Sequence, residues 1–341
     1  MKRAKQDTSM QLDLGLPTLD EAAVEHLAHP PRSRRKPALA VPSPVEALEA
    51  AAALLSSSPD FQILRRLQHH VVYQSNSPER EFIGVYVDCE TEGLSLEDKI
   101  IEVGLVRFAY DANTGEVLRL LEPTDGYSAF EDPGRALSDE IKKLTGIEDS
   151  DVKDQHFDDA EIVALVSDAQ LIIAHNAGFD RPRFEKRFPF FANKRWACSF
   201  KDVDWSGRGV PSAKLDYLAY VFGFFFDGHR AVNDCFAALE MLGKTFPGTN
   251  EPVMQALLDR ARQDTWRHFA NPARYQNDRF RALGYRWCGK DRAASWYKDY
   301  SDQSSAELAK QTIQTDGIAA AQDIRRITAR ERYSIREMGN E

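Results

Sequence analysis

Two acidic residues stand one position apart at the end of an apolar run, in Val85-Tyr-Val-Asp-Cys-Glu-Thr-Glu-Gly-Leu94. The run predicts a buried strand that is bounded by Gly93. Because side chains alternate between the two faces of a strand, Asp88 and Glu90 are expected to point the same way. Neighbouring carboxylates repel each other, and a hard divalent cation such as Mg²⁺ is the usual compensation when they are buried. From this stretch alone, the pair is either a metal site or a solvated strand end.

Two further acids follow later in the chain. The segment 170–174 predicts a short buried strand, and the sequence His175-Asn-Ala-Gly-Phe-Asp180 after it places Asp180 in the first turn of the next helix. In His229-Arg-Ala-Val-Asn-Asp234, a loop histidine precedes a helix that carries Asp234. Taken singly, each aspartate also fits a helix cap, and His229 also fits a surface position.

The three segments together resemble the DEDDh family of 3′→5′ exonucleases. This DnaQ-like family includes the proofreading epsilon subunit of bacterial DNA polymerase III and ribonuclease T. Residue types, order and spacing all match, in Asp88-x-Glu90, His175-Asn-Ala-x-Phe-Asp180 and His229-x-x-x-x-Asp234. The histidine with its four-residue gap matches the "h" branch of the family. The resemblance covers roughly residues 80 to 246.

The resemblance implies a catalytic set of His229, Asp88, Glu90, Asp180 and Asp234. The four acids would hold two divalent ions, Mg²⁺ or Mn²⁺, about 3.5–4 Å apart. His229 would act as general base toward the attacking water, since an imidazole titrates near neutrality. The product would be a nucleoside 5′-monophosphate.

The resemblance also assigns residues to the terminal nucleotide: Thr91, Glu92, Gly93, Leu94, His175, Asn176 and Phe179. Leu94 would wedge against the last base, and Phe179 would pack on sugar or base. Core packing explains Phe179 equally well. Many relatives have a second threonine where this chain has Glu92, and the extra acid fits either a surface position or a changed sugar preference.

The order of the elements indicates an α/β exonuclease domain at residues 81–246. Further strands are predicted at 99–108 and 116–121, around a tight turn at Asn113-Thr-Gly115, so the sheet begins as an antiparallel meander. Five segments have helical patterns, and they lie at 138–144, 159–167, 180–188, 214–222 and 231–244. This order predicts a ribonuclease H-like mixed five-stranded sheet flanked by helices.

The N-terminal residues 1–60 have the composition of a flexible tail, rich in Pro, Ala, Ser and charge, with a short helix at 47–55. Residues 61–80 are predicted to lead into the domain through an amphipathic helix at 61–67. Within the tail, residues 11–16 resemble the bacterial sliding-clamp-binding peptide, with a chance match as the alternative. Its contact residues would be Gln11, Leu14 and Leu16.

The C-terminal residues 251–341 predict a small α+β module, which resembles the accessory domain of some bacterial proofreading-type exonucleases. Helical spacing runs over 251–270. A short helix that ends at Gly284 and two strands joined by a tight turn follow. The capping box Ser304-x-x-Glu307 opens another helix, and a last strand is predicted at 324–335.

A basic strip in this module is the candidate surface for single-stranded nucleic acid. Its residues are Arg281, Arg286, Lys290, Arg292 and Lys298. Trp287 and Trp296 are assigned to the core of the module rather than to the binding surface.

Composition narrows the function classes. A formal charge of −9 argues against a generally basic nucleic-acid binder and leaves a local basic patch. The four scattered cysteines are typical of free thiols in a reducing cytoplasm. The sequence predicts neither a secretory signal nor a membrane span, so a cytoplasmic location without membrane association is expected.

The leading interpretation is a metal-dependent 3′→5′ exonuclease that acts on single-stranded or frayed DNA ends in proofreading or repair. A polymerase or a sliding clamp would be its protein partner. An RNA exonuclease similar to ribonuclease T or oligoribonuclease is the alternative within the enzymes. A non-catalytic nucleic-acid-binding or clamp-binding factor on the same fold is the alternative outside them.

Overall fold

The computed structural model describes residues 43–74, 78–288 and 295–338. The chain divides into two compact units, residues 1–57 and 58–341. The described part of the first unit contains helix α1 (Pro44–Ser56), which begins with a capping box between Ser43 and Glu46. This confirms the helix predicted at 47–55. The clamp-like peptide at residues 11–16 lies outside the described residues.

The second unit contains two main sheets and the helices that cover them. Its described strands are β1 (Arg65–Arg66), β2 (Glu81–Thr91), β3 (Ile100–Asp111), β4 (Val117–Leu120), β5 (Tyr127–Phe130), β6 (Leu171–Ala174), β7 (Trp196–Cys198), β8 (Phe224–Phe225), β9 (Thr265–Pro272), β10 (Arg286–Trp287), β11 (Trp296–Tyr300) and β12 (Ala319–Ile327). Its described α-helices are α2 (Asp139–Thr145), α3 (Asp149–Val152), α4 (Asp159–Val166), α5 (Ala177–Arg187), α6 (Leu215–Val221), α7 (Ala231–Leu242), α8 (Val253–Arg262), α9 (Asn277–Ala282) and α10 (Gln303–Thr315).

The first sheet has the strand order β4-β3-β2-β6-β7, and β5 also pairs with β3. Strands β2, β3 and β4 are antiparallel, whereas β6 and β7 continue parallel to β2. This is the mixed sheet of a ribonuclease H-like fold, so the predicted fold class is confirmed. The short strand β5 is an addition that the sequence pattern did not indicate.

Alternating side chains of β2 divide the core between the two faces of this sheet. Tyr86 packs with Phe236 and Leu239 of α7 on one face. Val85 and Val87 pack on the other face in the cluster that contains α4 and α5. The next residues of β2 continue this alternation, which directs the acids toward α7 and Cys89 toward α5.

The second sheet is antiparallel, with the order β10-β11-β9-β12, and belongs to the C-terminal module. The helix predicted over 251–270 is wrong in its second half, because α8 ends at Arg262 and Thr265–Pro272 forms the inner strand β9. Apolar residues at helical spacing continue into β9, but its pairing with β11 and β12 prevails over the local pattern.

Helix α10 is capped by Asp302, which accepts from the Ser305 N–H, rather than by the predicted Ser304. The last strand is Ala319–Ile327, earlier than the predicted 324–335.

The predicted helix at 61–67 is also wrong. Arg65 and Arg66 form a short parallel strand with Phe224 and Phe225. The Leu67 N–H donates to the Phe225 carbonyl at 2.8 Å. Pairing with a distant segment therefore overrides the amphipathic pattern.

No helix within the described ranges is long and apolar enough to cross a membrane.

Candidate metal centre

Three carboxylates converge at one end of the first sheet. Asp88 and Glu90 lie on the same side of β2, and Asp234 lies in the first turn of α7. One oxygen from each residue falls within 4.8 Å of the others. Carboxylate oxygens are the ligands that Mg²⁺ and Mn²⁺ prefer, so the donor set fits a hard divalent cation.

The close approach of α7 depends on Gly104, which pairs with Asp88 from the neighbouring strand β3. A Cβ atom at this position would lie 2.3 Å from the Ala231 carbonyl carbon. Only glycine therefore lets the first turn of α7 rest on β3, and this contact brings Asp234 beside Asp88.

A buried glutamate fixes the start of α7. Glu102 is 0% exposed and stands opposite Glu90 in the sheet. Its carboxylate accepts from Arg230 Nε at 3.2 Å and from the Ala231 N–H at 3.3 Å. Glu102 was not among the predicted site residues. Its only signal in the sequence is its position as a lone acid inside the apolar run that predicts β3.

Burial and mutual repulsion raise the pKa values of the converging acids. Burial, followed by the charge of Glu102, raises the pKa of Glu90 to about 7. Burial, followed by the charge of Glu90, raises the pKa of Asp234 to about 7. The pKa of Asp88 is raised well above its usual range by burial and by the neighbouring Asp180. The group therefore lacks positive charge, and a divalent cation would supply it.

Asp180 lies beside this group rather than within it. It is 2% exposed in the first turn of α5 and accepts from the Cys89 thiol at 3.5 Å. Its charge is one of the causes that raise the pKa of Asp88. The fourth predicted ligand is thus within electrostatic range of the cluster but outside the set of three converging oxygens.

His229 has a left-handed backbone, with a φ of 62°. This conformation is uncommon for residues other than glycine and is found more often at functional sites. The His229 N–H donates to the Asp234 carboxylate, and the side chain is exposed. The backbone of His229 is therefore fixed to the acidic group while its imidazole remains accessible to solvent.

The turn after β2 is held together by its own polar contacts. The Thr91 hydroxyl donates to the Gly93 carbonyl at 2.6 Å. Glu92 accepts from the Lys99 N–H at 3.0 Å and from Arg135 Nε at 2.6 Å, and its side chain is only 7% exposed. Glu92 is therefore neither a free surface acid nor an unpaired charge. Leu94, by contrast, is 87% exposed.

The predicted substrate-binding residues in the motif at 175–180 differ in their environment. Both ring nitrogens of His175 bond to protein, at 2.8 Å from Ser199 Oγ and 2.8 Å from the Ala213 carbonyl. Burial lowers its pKa to about 4, so the geometry favours a structural role over the predicted contact with substrate. Asn176 is exposed. Phe179 packs partly into the core.

Arg183 also belongs to this region, although it was not among the predicted site residues. Its guanidinium lies 3.5 Å from the centroid of the Phe179 ring. It also donates to the Leu94 carbonyl at 2.6 Å and to the Ser95 carbonyl at 3.0 Å. Arg183 therefore ties α5 to the turn that carries Leu94.

Residues 328–336, the C-terminal clasp, hold α5 from the other side. Arg181 is 0% exposed and donates to the backbone carbonyls of Ala329, Arg330 and Arg332. Its Nε also bonds to Glu185 at 2.6 Å. Because Arg181 follows Asp180 directly, the clasp fixes the helix turn that carries the fourth acid.

In the described part of the predicted basic strip, acidic side chains partly neutralise the positive charges. Arg281 pairs with Asp278 at 2.6 Å, Arg286 lies 3.8 Å from Asp299, and Lys298 donates to the Leu283 carbonyl at 2.7 Å. Lys290 and Arg292 lie outside the described residues. The assignment of this strip to nucleic acid stays a prediction.

The two tryptophans of the module differ in exposure. Trp296 is 5% exposed and belongs to the core, as predicted. Trp287 is 47% exposed, so its assignment to the core is wrong. It lies on β10, a two-residue strand that pairs with β11, and its ring only touches the edge of Trp296.

Comparison with known protein families matches residues 85–242 to a model described as "Exonuclease". The chain is also similar to the DNA polymerase III PolC-type of Caldanaerobacter subterraneus subsp. tengcongensis, with 30% identity over 175 residues. The alignment covers 49% of this chain, and the chain spans 12% of the length of that polymerase.

Two solved structures are also similar to part of the chain. Exonuclease X in complex with 5′ overhanging duplex DNA is 22% identical, with 52% of this chain and 98% of that chain covered and a TM-score of 0.36. A 3′-exonuclease whose structure concerns 3′-end specific recognition of a histone mRNA stem-loop is 19% identical, with 49% and 81% covered and a TM-score of 0.37.

Proposed function

We propose that this chain, whose residues 85–242 belong to the exonuclease family, is a divalent-metal-dependent nuclease that removes nucleotides from 3′ ends. The observation that carries this proposal is the convergence of Asp88, Glu90 and Asp234 within 4.8 Å. Asp180 and His229 adjoin this group in the order and spacing of the DEDDh motifs. A binding protein without catalysis has no need for all five residues.

The acidic residues would hold the metal. Asp88, Glu90 and Asp234 present converging oxygens, and Asp180 would complete the set. When bound, two Mg²⁺ or Mn²⁺ ions lower the pKa of an attacking water and stabilise negative charge on the leaving 3′-oxygen. The fold of this chain contributes by holding the carboxylates of these acidic residues close together in a half-buried site.

His229 would accept the proton of the attacking water. Its exposed imidazole can contact solvent and substrate, and its backbone is fixed by Asp234 on one side. Arg230, the next residue, is held by the buried Glu102. General-base catalysis of this kind contributes about 10²–10⁴-fold to a rate.

The 3′-terminal nucleotide would lie against the turn after β2. The exposed Leu94 side chain offers an apolar contact for the last base. Its backbone is held by Arg183. The exposed Asn176 lies at the start of α5, next to the same region. Products would be nucleoside 5′-monophosphates.

Single-stranded or frayed DNA is the proposed substrate, in proofreading or repair. The similarity of about half of this chain to part of a DNA polymerase III supports DNA over RNA. A polymerase or sliding clamp stays the predicted partner. The residues of this chain that would contact a clamp, Gln11, Leu14 and Leu16, lie outside the described residues.

The substrate proposal is tested with single-stranded DNA and RNA of the same sequence, incubated in Mg²⁺ or Mn²⁺ with the full chain. We expect faster loss of nucleotides from DNA than from RNA. Asp88→Asn controls for contaminating nucleases and should be inactive on both. Faster degradation of RNA would overturn the DNA assignment, and equal activity of wild type and Asp88→Asn would overturn the proposed nuclease site.

A further inference from the structure

A second concave site lies at the opposite end of the first sheet. The cavity has a volume of about 810 Å³ and is lined by residues of β2, β3 and the C-terminal module. Phe82 and Tyr110, which pair with each other in the sheet, form part of its wall. Asp88 lies six residues further along β2, about 20 Å away at the rise of an extended strand. The volume is in the range of small-molecule sites, and the cavity is separate from the acidic cluster.

Four arginines line this cavity: Arg80, Arg195, Arg262 and Arg330. All four are exposed. Within the described ranges, the guanidinium groups of Arg80, Arg195 and Arg330 have no carboxylate partner. Arg262 lies 3.8 Å from Asp259 and donates to the Ala112 carbonyl. The single acid of the lining, Asp264, is already bonded to Arg326 at 2.5 Å.

Several other arginines of the described surface stand beside acids. Arg119, for example, forms two bonds with Glu81, and Arg107 forms two with Asp168. Guanidinium groups that converge without counter-charges repel each other. A bound anion would relieve this repulsion, and arginine is the side chain best suited to bind phosphate groups in a bidentate manner.

Tyr110 lines the same cavity. The residue is 2% exposed, and its hydroxyl reaches the solvent of the cavity without a hydrogen bond to the residues that the structure describes. Burial raises the pKa of Tyr110 to about 12, while the charges of Arg262, Arg195 and Arg80 oppose this rise. Three guanidinium groups therefore lie in electrostatic range of one unpartnered hydroxyl.

We propose that this cavity binds a nucleotide. Its phosphate groups would lie among Arg195, Arg262 and Arg330, and its base would stack on the exposed guanidinium of Arg80, which lies over the Phe82 ring at 4.6 Å from its centroid. Phe82 in turn meets the buried Tyr110 ring edge to face at a centroid distance of 6.0 Å, which holds the Phe82 ring in place beneath Arg80. A volume of about 810 Å³ suits a mononucleotide better than a longer strand.

The test uses the full chain in EDTA with the Asp88→Asn substitution, so that the metal centre does not contribute. Calorimetric titration with ATP should show saturable binding. Replacement of both Arg195 and Arg330 by Gln should weaken the dissociation constant by about tenfold or more, because charge-assisted hydrogen bonds are lost. Arg274→Gln, which removes an exposed arginine elsewhere in the module, should leave the dissociation constant unchanged.

Thermal unfolding of the variants should match that of the parent, since both replaced side chains are exposed. Absence of ATP binding, or binding that the double substitution leaves unchanged, would overturn the proposal. Pyrophosphate that binds as tightly as ATP would overturn the assignment of the base contact. A short oligothymidylate that binds more tightly than ATP would overturn the mononucleotide assignment in favour of a strand-binding surface.

Discussion

Among single residues, the carboxylates of Asp88, Glu90 and Asp234 repel one another, and a bound cation would reduce this repulsion. The pKa of Glu90 is raised from 4.5 to about 7 by burial and by Glu102. Between these two values, the folded protein binds more protons than the unfolded chain, so this acid lowers stability as pH rises. Asp234 behaves in the same way. The metal-free protein therefore loses stability from these groups as pH rises, from about pH 4.5 to about pH 7 for Glu90 and from about pH 3.8 to about pH 7 for Asp234.

The first prediction is a pH-dependent effect of metal on stability. Mn²⁺ should raise the melting temperature more at about pH 8 than at about pH 5, because at the lower pH protons compete for the carboxylates. Thermal unfolding with and without Mn²⁺ at the two pH values measures this difference. His175, whose pKa burial lowers to about 4, affects both metal states equally and cancels in the difference. An equal Mn²⁺ effect at both pH values, or one that persists in Asp88→Asn, would contradict the account.

The second prediction separates His229 from the metal ligands. His229→Ala should lower kcat by about 10²–10⁴-fold, because the general base is lost. Its effect on stability should be small, since the side chain is exposed. The Mn²⁺-induced rise in melting temperature should persist, whereas Asp88→Asn should reduce it. Full activity of His229→Ala, measured with single-stranded DNA, would remove the proposed role of the imidazole.

The site residues that could be predicted from the sequence are those that belong to a local pattern. The alternation of β2 sufficed to place Asp88 and Glu90 on one side, and the apolar runs located the elements that carry the other acids. Glu102 and Arg183 were missed because their partners are distant in sequence. The contact between Glu92 and Arg135 spans 43 residues, so no local pattern could indicate that this acid is paired.

At the scale of elements, two helices bring the distant acids to β2 by different means. Helix α7 rests on Gly104 and is fixed at its first turn by Glu102. Helix α5 is held by the buried Arg181 and the C-terminal clasp. The periodicity of α2, including its Ser138 cap and the Gly146 stop, could be predicted from the sequence. Strand β9 could not, because its pattern of apolar residues also fits a helix and only sheet pairing decides between them.

The third prediction tests the clasp. Arg181→Ala should lower the free energy of unfolding by roughly 2–4 kcal/mol, because it removes a buried guanidinium that donates to three carbonyls of the clasp and to Glu185. Activity should also fall, since the affected turn carries Asp180. Lys186→Ala on the same helix is the control, and the loss of its exposed ion pair with Glu97 should cost less than about 1 kcal/mol. Urea unfolding and nuclease rates measure both effects, and an Arg181→Ala protein that matches the control would contradict the role of the clasp.

At the scale of the whole molecule, residues 58–341 form one compact unit in which the C-terminal module contributes to the first sheet. The Ala329 carbonyl accepts from the Trp196 N–H at 2.9 Å, and so covers the outer strand β7. Removal of the module would therefore disturb α5 and β7 as well as any surface for nucleic acid. Substitutions of single exposed residues such as Arg286 separate binding from folding, whereas truncation does not. The sequence predicted a module of mixed elements but not this contact, because it is made by backbone groups.

We propose that Asp88, Glu90 and Asp234 hold divalent metal for the hydrolysis of nucleic acid from its 3′ end. The most direct measurement follows single-stranded DNA labelled at its 5′ end over time, with Mg²⁺ or with EDTA, for wild type and Asp88→Asn. We expect wild type in Mg²⁺ to produce a ladder of progressively shorter labelled fragments, and EDTA or Asp88→Asn to abolish it. Immediate release of a labelled mononucleotide would show attack from the 5′ end. That result, or a ladder that persists in EDTA, would contradict the account.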